Sequence, residues 1–588
     1  MKTASRRREE KIKMNKMISF IKKCTALACM MVVLALPLSA QKKDSVGTFI
    51  VIGTGEYPTS IMDANKLSDY PEVKDSTQKI PVGPYSIDSK RINTPFAVDP
   101  IVPAQISGEP LTKLYNGLVK IGVGNYATPY GEVWYNSLRS KEIAYGIRLK
   151  HLSSSPKYKN FENTGVFSKP SFKNYGYAGY SNNEISLYGK KFLKEHTLSG
   201  TFDYARDVFH YYGYDASLNM LEKDQTVQRF NLFSAGAELK SHYTKPERFN
   251  HDIRLTYYNL ADLYKSSENN IKADGYVQTA ISGEVLKVNA LVDYYNYKTL
   301  SDTANNTIIA LNPNFIATGE KYRASLGVTA AIDVQSTSKF YFYPNVELSY
   351  NIFEDIIIPY AGVTGGLRKN SFKSITDENP FVKSELVTKN TNTKYEFFGG
   401  LKGTLSSKIA YTTRVSYAGV NNLQLYVNDF SDLLGNKFDL VYDDADVLNI
   451  RGEVSYQSRE KLRFNLRGDY YNYKMKNELR AWFKPQVEIT LSANYNLKDK
   501  IVVRADLFYI DSQFAKLMEK DPAGLEADKP VAKELKGVFD ANLGLEYRYN
   551  KKLGFFVDLN NIASQGYNRW YKYPTQRFGF MAGLSYSF

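Results

Sequence analysis

Five histidines are the first candidates for acid–base chemistry in this 588-residue chain: His151, His196, His210, His242 and His251. None pairs with another at the spacing by which a helix holds a metal, and neither HExxH nor DxDxDG occurs. A lipase built on a sheet needs Ser, His and a polar partner on adjacent strands. His151-Leu152-Ser153 supplies the first two. Histidines at loop edges are common without being catalytic, so the sequence reads as a non-enzyme with no cofactor. GVGNYATPYG (122–131) is no phosphate loop; it reads as a strand and its turn. The two cysteines, Cys24 and Cys29, lie close to the start, and no thiol, disulfide or cysteine metal site is expected beyond them.

A second set of residues is defined by charge and alternation. In VLNIRGEVSYQ, Ile450, Gly452, Val454 and Tyr456 share one face, and Arg451 and Glu453 lie on the other. LRFNLRGDY sets Leu462, Phe464 and Leu466 against Arg463, Arg467 and Asp469. IVVRADLFY sets Ile501, Val503 and Leu507 against Arg504 and Asp506. VFDANLGLEYRY sets Phe539, Leu543 and Leu545 against Glu546 and Arg548. A period of two is the strand period. The charged residues are expected to line a polar interior as a mutual network.

The elements that hold them recur from about residue 113 to the end. Short polar turns (458–461, 497–500, 550–552) alternate with longer polar loops (154–178, 211–226, 370–392, 419–446, 514–536). Short turns on one side and long loops on the other fit a transmembrane β-barrel. Lipid forbids open sheet edges, so such strands must close on themselves. The chain has 47 Tyr and 32 Phe against 3 Trp, and its mean hydropathy is negative. Tyr and Phe near strand ends suit interfacial girdles. The expected fold is an all-β antiparallel barrel of about 22 strands (range 16–22) over 113–588, with apolar faces against outer-membrane lipid.

The front end points to export. Residues 1–23 are basic, Thr25–Leu38 is a short apolar run, and Ser39-Ala40 precede Gln41. That order is a signal peptide over 1–40, with Met14 or Met17 as alternative starts. Its removal takes nine basic and two acidic side chains and lowers the net charge from +15 to about +8. No basic block remains that reads as a nucleic-acid footprint. Residues 41–112 are rich in proline (Pro58, Pro71, Pro81, Pro84, Pro95, Pro100, Pro103, Pro110), which favours an extended segment.

The C-terminal stretch LNNIASQGYNRWYKYPTQRFGFMAGLSYSF resembles the end of TonB-dependent outer-membrane receptors. The resemblance rests on Asn561-Ile562, Tyr567, Tyr573-Pro574, Arg577 and a final strand ending in Phe588. It departs at Gln576, where Gly is common, and the motif spans only about 30 residues. The resemblance implies a 22-stranded barrel. It also implies that Tyr586 and Phe588 act as the signal for barrel-assembly machinery. GTFIVIGTG (47–55) resembles the TonB box; Thr48, Phe49, Ile50, Val51 and Ile52 would offer an edge to TonB or another envelope protein by β-augmentation. A conventional plug is not expected, because only 41–112 precedes the first strand. The functional expectation is transport or gating of a solute; the alternative is a scaffold subunit of an outer-membrane complex.

Overall fold

A computed structural model describes residues 114–156, 159–162, 171–174, 176–214, 221–335, 337–458, 461–519 and 529–588. The expectations for 1–40, for 41–112 and for Thr48–Ile52 lie outside these residues.

Twenty-two antiparallel strands form one closed sheet in which each strand pairs with its neighbours in sequence. The first, Gly117–Gly124, pairs with the last, Gly579–Ser587. Phe588 completes the seam: its N–H donates to the Gly117 carbonyl and its carbonyl accepts from the Gly117 N–H, both at 3.0 Å. Closure leaves no edge, which removes the liability of unpaired backbone groups. Gly117 leaves room there for the Phe588 ring. A Cβ at that position would lie 2.2 Å from the Phe588 ring.

Alternation dictates which way each side chain points. Phe580, Leu584 and Tyr586 face outward and are exposed, as are Ile450, Val454, Leu466, Leu507 and Phe539. Exposing one such side chain to water forgoes about 1.5–3 kcal/mol. A wall of them is stable only against hydrocarbon. Among the described residues no helix is long and apolar enough to cross a membrane; the crossing is made by strands.

All the connections longer than eight residues share one rim, where short turns such as 125–127 and 263–266 also lie. The opposite rim carries turns such as 193–195, 282–283, 407–408 and 498–500, and the first carries 155–179, 211–226, 369–390, 511–537 and 561–578. The short-turn rim is the periplasmic one by the rule for such barrels. Gly117 and Phe588 both lie on it.

One expected loop is corrected. Residues 419–446 are mostly strand, because Ile409–Asn428 and Phe438–Ser458 run on as a hairpin beyond their neighbours. Their Asn and Asp residues looked like loop, yet the ladder continues past the bulge between Val420 and Leu423. The connection 561–578 is an additional long loop. Three loops hold small hairpins of their own: Lys159–Glu162 with Ser171–Asn174, Gln513–Glu519 with Lys529–Leu535, and Asn568–Trp570 with Tyr573–Pro574.

Candidate functional site: the lumen and its outer cap

The inward face of the wall is a ladder of charges. Asp469, almost fully buried, accepts from Arg451 at 2.6 Å and from Arg467 at 2.7 Å. Arg548 reaches Glu546 at 2.9 Å, and Ser492 donates to Asp506 at 2.6 Å. Arg504 approaches Asp558 at 3.7 Å. Glu453 and Arg463 make no ion pair among the described residues. The same pattern recurs elsewhere: Arg148 bridges Glu132 and Glu184, each at 2.9 Å. A cleft of about 320 Å³ opens on this wall beside Asp252, Arg254, Lys272, Asp274, Tyr276 and Asn312. Asp252 Oδ1 is buried there without a hydrogen-bond partner. Among the described residues no three His, Asp or Glu side chains are placed to hold a metal.

The hydrophobic core lies at the long-loop rim, where the loops fold into one aromatic cap. Its centre is the segment 369–390, which begins with a short helix, Phe372–Glu378. Ser371 caps that helix: its Oγ accepts the Ser374 N–H at 3.2 Å, and Ser374 Oγ accepts the Ser371 N–H at 2.9 Å. The helix lies against one wall. The Phe372 N–H donates to Glu268 at 2.6 Å, and its ring stacks on Tyr297 at 4.9 Å. Lys369 pairs with Asp293 at 2.6 Å.

The same segment then reaches the opposite side. Phe381 stacks on Tyr573 at 3.9 Å, and Val382 bridges to Phe438. The Tyr211 hydroxyl donates to the Val382 carbonyl at 2.9 Å, and the Tyr212 hydroxyl to the Pro574 carbonyl at 2.9 Å. Tyr297 and Tyr573 donate to the carbonyls of Ser384 and Asn436. Burial pushes the Tyr211 and Tyr573 phenols well above the usual range, so both stay neutral donors. The segment is therefore a strap folded back on itself: its base joins the paired residues Arg368 and Thr391, its two limbs lie on the strands Ser267–Ile281 and Glu284–Lys298, and its tip at Phe381 meets the last long loop.

The remaining loops seal its flanks. Trp482, Phe438, Ile375 and Leu425 are fully buried. Trp482 Nε1 donates to Glu478 at 2.8 Å, and Lys516 pairs with the same carboxylate at 2.8 Å. The Tyr426 hydroxyl donates to the Ile375 carbonyl at 3.1 Å. Of the cap residues, only Tyr573 and Pro574 stand out in the sequence, and there as part of the C-terminal motif. Two of the three tryptophans, Trp482 and Trp570, lie in long connections; large aromatics in a loop were the available signal.

Tyr586 and Phe588 face outward, roughly half exposed, at the short-turn rim. Three histidines gather near the same rim. His196 and His251 have ring centroids 5.3 Å apart, Tyr243 lies against both, and His242 Nε2 sits 2.7 Å from Thr197 Oγ1.

No protein-family model and no curated protein sequence matches the chain. Solved structures do. The FrpB iron transporter from Neisseria meningitidis superposes with a TM-score of 0.61 at 9% identity, over 81% of this chain and 82% of that one. The pyoverdine outer-membrane receptor FpvA from Pseudomonas aeruginosa gives 0.59 at 11% identity, over 81% and 79%. The ferric-catecholate import receptor Fiu from Escherichia coli gives 0.55 at 10%, over 81% and 82%. The likeness is one of fold: the chain is a multi-pass, 22-stranded β-barrel of the bacterial outer membrane, with the architecture of the TonB-dependent receptors.

Proposed function

We propose that the barrel passes a solute across the outer membrane, with its own loops as the outer gate. The observation that carries this reading is the strap 369–390, held across the mouth above a charged lumen. Closing a wide barrel is necessary, since an open lumen of this strand number would leak. The fold neighbours include an iron transporter and receptors for ferric-siderophore ligands, which favours a receptor-type solute. Residues 41–112 would complete the gate from the periplasmic side, and Thr48–Ile52 would offer TonB its edge.

The test is planar-bilayer conductance of the full chain against Phe372→Ala/Phe381→Ala, which loosens the first limb and the tip of the strap. The expected result is a closed parent and a conducting variant. Steady conductance of the parent overturns the gate. Val51→Pro should abolish uptake; unchanged uptake ends the energy-coupled version.

A second reading, a scaffold subunit of an outer-membrane complex, draws on the fully buried core of the cap, which suits a permanent lid. Purification as a lone monomer in gentle detergent counts against it.

A further inference from the structure

His151 and Ser153 lie two residues apart on the strand Ile143–Ser154, so their side chains share a face. That face is the lipid-facing one, because Tyr145 and Leu149 on the same alternation are exposed. Register brings in a third residue: Asn183, on the adjacent strand Tyr180–Phe192, is paired with His151. His151 Nε2 is 3.2 Å from Ser153 Oγ, and His151 Nδ1 is 2.7 Å from Asn183 Oδ1.

The hydrogen bonds fix the direction of this chain. Asn183 Nδ2 donates to Ser181 Oγ at 3.2 Å, which turns Oδ1 toward the imidazole. An acceptor at Nδ1 selects the tautomer with the proton on Nδ1. Nε2 then presents its lone pair to the Ser153 hydroxyl. Nucleophile, base and orienting amide stand in the order that acyl-transfer hydrolases use.

The surroundings supply a substrate-shaped space. A cleft of about 390 Å³ adjoins His151 and Asn183, with Ile121, Val133, Leu149, Ile185 and Tyr204 on its lining. Gly131 faces His151 in register, and a Cβ there would meet nothing within 4 Å, so the wall is recessed beside the imidazole. Ser153 is the next-to-last residue of its strand, at the long-loop rim. Arg206, paired with Asn183 on its other side, is exposed and makes no ion pair among the described residues.

We propose that Ser153, His151 and Asn183 form a hydrolytic site for the fatty-acyl esters of membrane lipids in the outer leaflet. The acyl chain lies in the cleft and the carbonyl meets Ser153. Ser153 Oγ attacks the carbonyl carbon while Nε2 of His151 takes the hydroxyl proton. The ester C–O bond breaks, and the imidazolium returns that proton to the leaving alkoxide. Water, deprotonated by the same imidazole, releases the fatty acid from Ser153. The net change is ester plus water to acid plus alcohol, with no other reactant. Asn183 is a positioning residue, and Arg206 is placed to face a lipid phosphate or the developing oxyanion. This activity stands apart from the transport reading, and neither depends on the other.

The test uses the full chain in detergent, with a fluorophosphonate probe and two substrates, phospholipid vesicles and purified outer-membrane glycolipid. The probe should add to Ser153, and fatty acid should be released from at least one substrate; which one identifies the lipid. Ser153→Ala and His151→Ala should each lower release about 100-fold or more. Asn183→Ala should lower it, with Asn183→Asp restoring most of the rate and shifting the acid limb of its pH profile. Gly131→Leu, which fills the recess, should block release from lipid yet leave the probe adduct. A folded barrel, judged by heat-modifiable migration, that takes no label on Ser153 and releases no fatty acid overturns the proposal. So does release that is unchanged in Ser153→Ala.

Discussion

The wall and the cap of this molecule are stabilised by opposite arrangements. The wall hides its charges inside and shows its apolar side chains to the outside, and nearly every backbone group is paired with the next strand. The cap has the ordinary order of a soluble domain, with Trp482, Phe438 and Ile375 inside and polar groups around them. The wall depends on lipid and on closure. The cap depends on side-chain packing among segments that are distant in sequence. The two regions should therefore fail separately.

The sharpest way to test that separation is Trp482→Ala. Emptying a fully buried indole costs about 3–5 kcal/mol and leaves Glu478 with Lys516 alone. The expected outcome is protease cleavage in 369–390 and 511–537 while heat-modifiable migration of the barrel is unchanged. Joint loss of both would mean cap and wall are one cooperative unit.

The corresponding probe of the wall is Asp469→Ala. Two guanidiniums lose the buried carboxylate they share, at a cost of about 1.5–3 kcal/mol for each charged hydrogen bond lost. Denaturant unfolding of the barrel in detergent should shift to lower concentration, with loop proteolysis unaltered. Gly117→Ala tests the seam. Its methyl meets the Phe588 ring, which must turn aside from its preferred rotamer at a cost of about 0.5–1.5 kcal/mol. The yield of folded barrel should fall and be recovered by adding Phe588→Ala. The smallest effect belongs to Lys484→Ala, which removes a partly exposed pair with Glu378 at 3.2 Å. It should cost about 0.2–1 kcal/mol, and the difference should vanish at high salt in a loop-proteolysis assay.

The wall was legible in the sequence because its constraint is local. Each strand must alternate, and Leu448 to Tyr456 or Phe539 to Tyr547 declare their faces without reference to any other segment. Closure at 22 strands followed from counting them. The cap was not legible, because nothing periodic marks Phe372, Phe381 or Tyr573; their partners are set by how loops cross the mouth. The hairpin at 419–446 was hidden for a related reason. Asn421 and Asn422 form the bulge, and the buried Asp443 accepts the Asn477 and Glu478 N–H groups, so these polar residues occupy the hairpin without alternation. The histidine–serine pair could be read directly, two residues apart. Asn183 could not, since only the register between two strands connected by a long loop brings it to His151.

The seam has a consequence in time. Near the closing strands the Asn125 side chain holds the Phe578 carbonyl, 453 positions further along the chain. Contacts this remote are the slowest kind to form, because the entropy of closing so long a loop is lost before any contact repays it. The sheet cannot become a cylinder until the strand Gly579–Ser587 has reached Gly117–Gly124. Every molecule thus passes through a stage as an open ribbon with two unpaired edges, and its survival in the envelope depends on how briefly that stage lasts.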